Sequence, residues 1–244
     1  MKSLKTKLIK LSLALLLLGC VASTIFLKIQ RPPRQLIENR VKLVDNIGDN
    51  FLFRGGNPFT ASSKEAQFSY DQLSIIFKKT LAEKNYNIDD FHLVDISLLD
   101  LDEYNQISLE RKFFAQNPDK GEFINISTID LGLLFTGFET DFLTNNYHDF
   151  ITKKLNKIHT TLSKEYDKPL IIYLHCNGGR DRTGFMSAAY KMLFLNIPAS
   201  QAINQNEFDV GRNSEGFYAT AIISYCHYLQ KNYSKPSNFC DVAK

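Results

Sequence analysis

Residues 175–184, with the sequence HCNGGRDRTG, combine a nucleophile, glycines and an arginine in one short loop. They follow the apolar run at 170–174, which is typical of a buried central strand, and they precede a stretch predicted to be helical. A loop between a strand and a helix N-terminus offers backbone N–H groups and a helix dipole to an anion. Gly178 and Gly179 let this backbone approach a ligand closely, and the planar guanidinium of Arg182 can bind two phosphate oxygens at once. The loop therefore predicts a phosphate-binding site.

Cys176 lies at the start of this loop, where the field that binds phosphate also favours a thiolate. Cysteines at helix N-termini can have their pKa lowered to ~3.5–7.5 from a free value near ~8.5. Such a thiolate is placed for in-line attack on phosphorus, which gives a phosphocysteine that water then hydrolyses. Thr183 can donate its hydroxyl to the departing sulfur, and His175 can hold the loop and favour the thiolate. The pattern predicts a phosphatase that hydrolyses phosphomonoesters through Cys176.

The stretch resembles the H-C-x5-R-T/S-G signature of the cysteine-dependent protein tyrosine phosphatase superfamily. The match covers the whole signature, with a strand before it and a helix after it. The cysteine lies far along the chain, as in the dual-specificity and conventional branches, whereas the low-molecular-weight branch carries it near the N-terminus. The segment FRGGNP at 53–58 resembles the opening strand of bacterial dual-specificity-like members, and Arg54 within it fits either that resemblance or a structural salt bridge.

The resemblance implies an α/β, three-layer tyrosine-phosphatase-like fold, in which helices flank a central, mostly parallel sheet. It implies catalysis by Cys176, Arg182, Thr183 and His175 without a cofactor or a metal. It also implies that the rest of the loop binds the substrate. Those substrate-binding residues are Asn177, Gly178, Gly179, Arg180 and Asp181.

Arg180 bears on the choice of substrate. A lysine at the equivalent place in the signature is typical of phosphoinositide phosphatases and of some bacterial dual-specificity enzymes. Arg180 could bind a second phosphate on an inositol ring, or it could only balance the charge of Asp181. The expected substrates are therefore phosphotyrosine or phosphoserine/threonine proteins, or phosphoinositides.

A phosphatase of this family also needs a general acid on a loop upstream of the cysteine. The chain contains no tryptophan, so the Trp-Pro-Asp version of that loop is excluded. The loop should follow the apolar strand predicted at 123–126, and the first acid there is Asp130. Glu139 and Asp141 are alternatives that lie closer to the following helix. Downstream, Gln205 or Asn206 could orient the attacking water.

Two other classes of protein fit parts of the pattern. A pseudophosphatase would capture a phosphorylated partner without turnover, but such proteins commonly lose one of the key residues, and Cys176, Arg182 and Thr183 are all intact. A rhodanese-type sulfurtransferase also uses a cysteine loop, but it does not usually carry the flanking His or the Arg-Thr-Gly. Turnover that requires Cys176 and is blocked by vanadate separates these hypotheses from a phosphatase.

The elements around the loop alternate between strands and helices, which is typical of a largely parallel α/β sheet. Strands are predicted at 51–53, 91–96, 123–126 and 170–174. Helices are predicted at 63–84, 141–162, 185–195 and 216–231, where apolar residues recur at helical spacing.

The N-terminal segment differs in character from the rest of the chain. Residues 1–10 are basic, residues 11–27 are apolar, and the stretch LLGC ends at Cys20. This layout predicts a signal peptide, a lipoprotein signal or a membrane anchor at 1–27, a linker at 28–34 and a phosphatase domain at 35–244. The expected location is exported or membrane-anchored, with the catalytic domain outside the cytoplasm and with possible membrane association through residues 8–27.

Charge and cysteine content argue against two further kinds of function, nucleic-acid binding and zinc binding. The net charge is +3, but four lysines of the N-terminal segment account for it, and the rest of the chain carries −1. Nucleic-acid binding is therefore not expected. Without a C-x-x-C pair, a zinc site is not expected either. Cys226 belongs to a predicted helix core and could pair with Cys240 in an oxidising compartment.

Overall fold

The computed structural model describes residues 32–63, 65–127, 141–211 and 216–241, without the side chains of 141–145 and 216–217. The predicted export or anchor segment at 1–27 lies outside these ranges. Among the described helices, none has the length and apolar character that a bilayer-spanning segment needs. Residues 32–34, at the end of the predicted linker, contact the domain, because the Gln106 side chain donates a hydrogen bond to the Pro32 carbonyl at 3.2 Å.

A mostly parallel sheet of five strands forms the centre of the fold, in the order β1-β2-β5-β3-β4. Strand β1 pairs antiparallel with β2, and the other neighbours pair in parallel. Strand β5 is central, and its last residue lies level with the last residues of β2 and β3. The strands are β1 Lys42–Ile47, β2 Asn50–Gly55, β3 His92–Ser97, β4 Gly121–Asn125 and β5 Leu170–His175.

Helices cover both faces of the sheet, which confirms the predicted three-layer α/β architecture. Alternate residues of β5 face opposite layers, and both sets are apolar, which explains its continuous apolar sequence. One core holds α1 and α2, and the other holds α3, α4, α5 and α6. The helices are α1 Tyr70–Ala82, α2 Tyr104–Gln116, α3 Asp141–Leu162, α4 Asp181–Phe194, α5 Ala199–Val210 and α6 Gly216–Tyr233.

A disulfide connects the last helix to the C-terminal turn. Cys226 of α6 is bonded to Cys240 of the short 3-10 turn Ser237–Cys240, with a Cα–Cα distance of 5.6 Å. Both residues are buried. The pairing considered from the sequence is present, and Cys176 is a free, buried cysteine.

Candidate active site

The signature loop joins the central strand to a buried helix. Strand β5 ends at His175, and α4 begins at Asp181. Between them the chain reverses through Gly179, whose φ of +65° is a conformation that favours glycine. Cys176 is 3% exposed at the base of this loop. The fold therefore places the cysteine beside a helix N-terminus, as the sequence predicts.

Arg54 fixes the far side of the loop from the neighbouring strand. Its side chain is 1% exposed, and it donates a hydrogen bond to the Gly179 carbonyl at 2.5 Å. It also donates to the amide oxygen of Asn206 and lies 3.9 Å from an Asp209 carboxylate oxygen. Burial lowers the pKa of Arg54, and the charges of Asp209 and Cys176 partly oppose that shift. The sequence allowed two interpretations of Arg54, and the structure supports the structural one. Its side chain contacts the signature loop directly.

The glycines of β2 allow the two backbones to pack closely. A Cβ added at Gly179 would lie 2.5 Å from the carbonyl carbon of Gly55, and one added at Gly56 would lie 3.3 Å from that of Gly178. The Tyr173 hydroxyl donates to the Gly56 carbonyl at 2.6 Å. This close approach requires glycine at position 179 and leaves little room for a side chain at position 56, so the FRGGNP segment packs directly against the signature loop.

Glu103 holds the guanidinium of Arg182. Arg182 donates to both Glu103 carboxylate oxygens, at 2.6 and 2.8 Å, and also to Asp100 at 3.1 Å. Glu103 is fully buried. Burial raises its pKa, but the hydrogen bond and charge of Arg182 outweigh this and lower the pKa overall. Burial likewise acts to lower the pKa of Arg182, yet its hydrogen bond with Glu103 and the charge of Cys176 raise it. The guanidinium is therefore charged and fixed in one plane.

The contacts of Glu103 and Asp100 with Arg182 were not predicted from the sequence. Their signal is a run of acids, DLDE at 100–103, that follows β3. Since the carboxyl ends of parallel strands meet at one sheet edge, acids that follow β3 lie next to a loop that follows β5.

A buried trio of titratable groups lies beneath the loop. The His175 Nε2 atom lies 3.0 Å from an Asp95 oxygen and 3.5 Å from a Glu110 oxygen, and all three side chains are fully buried. Burial and the charge of Asp95 raise the pKa of Glu110 well above its ordinary value, although the neighbouring Ser97 side chain acts in the opposite direction. Their donor atoms lie within 4.8 Å of one another, which is close enough to share an ion. The raised pKa of Glu110 favours a protonated carboxyl group at this position.

The remaining predicted loop residues are all near Cys176. Thr183 is buried, and within the described part of the chain its hydroxyl has no hydrogen-bond partner. Asn177 is buried, and its side chain helps to lower the pKa of Glu103. Gly178 and Arg180 are half-buried, and Asp181 begins α4.

The sequence also offered three candidates for the general acid and two amide residues that could orient water. Asp130 and Glu139 lie outside the described residues, and Asp141 begins α3 with its side chain undescribed. Gln205 accepts a hydrogen bond from Lys191 at 2.9 Å, and Asn206 accepts one from Arg54. Both amide oxygens therefore act as supports of the structure here.

Comparisons with known proteins bear on this site. Residues 88–204 match the sequence model of a family described as "Tyrosine phosphatase family". No curated protein matches the chain. Among solved structures, PTPMT1 in complex with PI(5)P is 17% identical, with 77% of this chain and 96% of that chain covered and a TM-score of 0.43.

Two further solved structures have comparable values. TpbA of P. aeruginosa is 11% identical, with 82% of this chain and 97% of that chain covered and a TM-score of 0.45. Human DUSP28 is 13% identical, with 82% and 99% covered and a TM-score of 0.38. TM-scores this low carry no inference about the site. The family match, however, runs from just before β3 into α5 and includes the whole signature loop. Through residues 88–204, the chain is similar to the tyrosine phosphatase family.

Proposed function

We propose that this protein is a phosphatase of the tyrosine phosphatase type, which hydrolyses phosphomonoesters through a phosphocysteine intermediate on Cys176. The observation that carries the proposal is the joint position of Cys176 and Arg182 in one loop at the carboxyl end of the central strand. Arg182 is oriented by two hydrogen bonds from its guanidinium to the buried Glu103. Orientation before the substrate arrives is what electrostatic stabilisation of a phosphoryl transition state requires.

The proposed chemistry proceeds in two displacements. The Cys176 thiolate attacks phosphorus, the bond from phosphorus to the leaving oxygen breaks, and the general acid gives that oxygen a proton. Loop N–H groups and the Arg182 guanidinium hold the three remaining phosphate oxygens. Water then attacks the phosphocysteine and gives its proton to the same acid, and the sulfur leaves as a thiolate with a hydrogen bond from Thr183. We assign the acid to Asp130, with Asp141 and Glu139 as the alternatives.

The substrates we propose are phosphotyrosine or phosphoserine/threonine proteins, or phosphoinositides. The loop core of Cys176, Arg182 and Thr183 serves any phosphomonoester. Arg180 adds a second positive charge beside it, and this supports the more highly phosphorylated members of that group. We also propose that residues 1–27 export the protein or anchor it to a membrane.

The test is hydrolysis by the purified full-length chain of a phosphotyrosine peptide, a phosphoserine peptide and a panel of phosphoinositides, beside Cys176→Ser. The expected result is turnover that vanadate blocks and that Cys176→Ser abolishes. No turnover, with tight phospholigand binding by both proteins, would instead make this protein a pseudophosphatase. Transfer of sulfur from a thiosulfate donor would indicate a rhodanese.

The general acid is tested with Asp130→Asn, Asp141→Asn and Glu139→Gln. Loss of the acid slows substrates with poor leaving groups more than those with activated aryl leaving groups. We expect Asp130→Asn to slow an alkyl phosphate by ~10²–10⁴-fold and to slow para-nitrophenyl phosphate much less. The same selective loss in Asp141→Asn or Glu139→Gln would move the assignment to that residue.

A further inference from the structure

Three consecutive carbonyl groups of the signature loop, at positions 177–179, each accept a hydrogen bond from residues 40–57. One donor is a backbone N–H of the FRGGNP segment, and the other two are arginine side chains. The bonds run from the Asn57 N–H to Asn177 at 3.3 Å, from Arg40 to Gly178 at 2.8 Å and from Arg54 to Gly179 at 2.5 Å. Each of these carbonyls is therefore bound to the N-terminal part of the domain.

The three bonds fix the direction of the N–H groups that follow these carbonyls. In a planar trans peptide, a carbonyl and the next N–H point in opposite directions, and the described part of the chain contains no cis peptide bond. The N–H groups of Gly178, Gly179 and Arg180 thus each point away from the donor that binds the preceding carbonyl. In the described ranges, none of these N–H groups donates to a backbone carbonyl. They are therefore available to an anion.

The backbone angles of the loop bring these N–H groups to one side. Gly179 has a left-handed φ of +65°, and Arg180, with φ −102° and ψ −72°, lies in the right-handed helical region. Successive residues of opposite helical hand form a concave arrangement of N–H groups that binds anions. Helix α4 begins at the next residue and adds its dipole to the same side. The loop therefore has the shape of an anion-binding nest.

Glycine makes this shape dependent on support from other parts of the chain. A glycine peptide rotates with little steric penalty, and neither Gly178 nor Gly179 has a side chain that could hold it by packing. The two arginines that bind their carbonyls come from ordered elements. Arg54 lies on β2 and is 1% exposed, and Arg40 ends a 3-10 turn just before β1. Both are therefore placed to hold the loop in one conformation.

We propose that Arg40 and Arg54 are positioning residues, which hold the peptide planes of the signature loop so that the N–H groups of Gly179 and Arg180 face the phosphate. The proposal rests on the proposed function, because it names the side chains that orient the loop N–H groups for that reaction. Each arginine acts through one carbonyl rather than through contact with the phosphate. Without its bond, the glycine peptide is free to rotate, and the phosphate loses a donor.

Phosphate affinity is measured first, since it does not depend on turnover. The full-length chain is titrated calorimetrically with inorganic phosphate. Arg40→Met removes the donor to Gly178 and should weaken binding by about tenfold, the order expected when a hydrogen bond to a charged group is lost.

Arg34→Met is the matched control for the loss of a positive charge. The Arg34 Nη1 atom lies 3.8 Å from a Cβ placed on the same Gly178, yet no hydrogen bond joins Arg34 to the loop in the described ranges. This variant should change the affinity by at most about twofold, because an exposed charge contributes little.

Lysine variants separate the hydrogen bonds from the charge. Arg40 binds the loop through one nitrogen, so Arg40→Lys should keep the affinity within about threefold of wild type. Arg54 uses both terminal nitrogens for two partners, Gly179 and Asn206. Arg54→Lys keeps the charge but not this fork, and it should lose about tenfold. The opposite ranking of the two lysine variants would contradict the positioning role.

The orientation of one loop peptide is measured directly by NMR. The chain is labelled with glycine that carries isotopes at its carbonyl carbon and its nitrogen. Only Gly56 and Gly179 follow another glycine in the sequence, so only their amide signals are split by the preceding carbonyl. Phosphate should move the Gly179 amide proton of wild type downfield, because that N–H gains a bond to an anion. In Arg40→Met at saturating phosphate, this shift should fall to less than about half, because Arg40 holds the carbonyl of that peptide.

The outcomes separate the positioning role from its alternatives. Equal losses of affinity in Arg40→Met and Arg34→Met would show that charge alone matters and would overturn the proposal. A weakened affinity with an unchanged Gly179 shift would also overturn it, since the peptide would not have turned. Circular dichroism checks that each variant is folded, and Arg54→Lys tests the same role if Arg40→Met is not.

Failure of the proposed function would look different. A wild-type chain without turnover that still binds phosphate with a Gly179 shift, both weakened in Arg40→Met, would refute the phosphatase but keep the positioning role. Turnover in wild type without any Gly179 shift on phosphate binding would keep the phosphatase and refute the positioning role. A wild-type chain that binds no phosphate would refute the positioning role as well.

Discussion

Glu110→Gln should change how the stability of this protein depends on pH. Glu110 of α2 is fully buried and faces Asp95 and Ser97 from β3, Tyr173 and His175 from β5, and Glu103 from the turn before α2. Burial and the negative charges of Asp95 and Glu103 raise its pKa well above the ordinary value of 4.5. The folded chain therefore keeps a proton on Glu110 at pH values where the unfolded chain has lost it.

The sign follows from proton linkage. Between pH 4.5 and the raised pKa, the folded state binds more protons, so the free energy of unfolding falls as pH rises. The contribution is complete below pH 4.5 and is lost as pH rises through the raised pKa of the folded state. Within that range, one proton changes the folding equilibrium by at most tenfold per pH unit, or about 1.4 kcal/mol per pH unit. Glutamine has the same shape and no proton to lose, so the variant lacks this decline.

Urea unfolding followed by far-UV circular dichroism suits this chain, which has no tryptophan. The difference in unfolding free energy, Glu110→Gln minus wild type, should rise with pH above 4.5, by at most about 1.4 kcal/mol per pH unit. Glu83→Gln, at an exposed carboxylate, serves as the control and should give a flat difference. A flat difference for Glu110→Gln as well would refute a raised pKa of Glu110 in the folded state.

Three further predictions concern the disulfide, the loop and a buried imidazole. Cys240→Ser should destabilise the chain by ~3 kcal/mol in urea unfolding without reductant, and a loss that persists when wild type is reduced would contradict this cause. Gly179→Ala should abolish phosphatase activity, because its Cβ would lie 2.5 Å from the Gly55 backbone. Gly211→Ala should stay active, because Gly211 has a similar φ but no atom within 4 Å of an added Cβ. Equal losses of activity in the two variants would refute the packing argument. Burial lowers the pKa of His148 to about 4, so unfolding takes up a proton between pH 6.5 and 4. As pH falls through that range, the free energy of unfolding of His148→Gln should rise by roughly 3 kcal/mol relative to that of wild type. A difference that does not change with pH would count against a neutral imidazole in the folded state.

The sequence predicted those elements whose buried residues are apolar and regularly spaced. The prediction of helix 141–162 matches α3, and the apolar run at 170–174 is β5 apart from its last residue. Helix α2 was not predicted from the sequence. Its buried positions include the polar residues Gln106 and Glu110, which interrupt the helical spacing of apolar residues. Strand β1 is half-buried along its whole length at the sheet edge, so its pattern does not alternate.

For the site, the sequence predicted the residues of the loop itself but not the distant residues that contact it. Cys176 and Arg182 could be found because the chemistry of one loop is written in consecutive residues. Glu103 and Arg54 act on the loop from 79 and 125 residues away, respectively. Their contacts depend on the strand order, which no local pattern specifies.

The central claim is a covalent phosphocysteine on Cys176, and trapping it is the most direct test. The wild-type chain is mixed with para-nitrophenyl phosphate, quenched in acid within the first turnover and digested for mass spectrometry. The account predicts a phosphoryl group on the peptide that contains residues 175–180, attached to Cys176, and no adduct in Cys176→Ser. Turnover without any adduct on that peptide, or an adduct on another residue, would contradict the account.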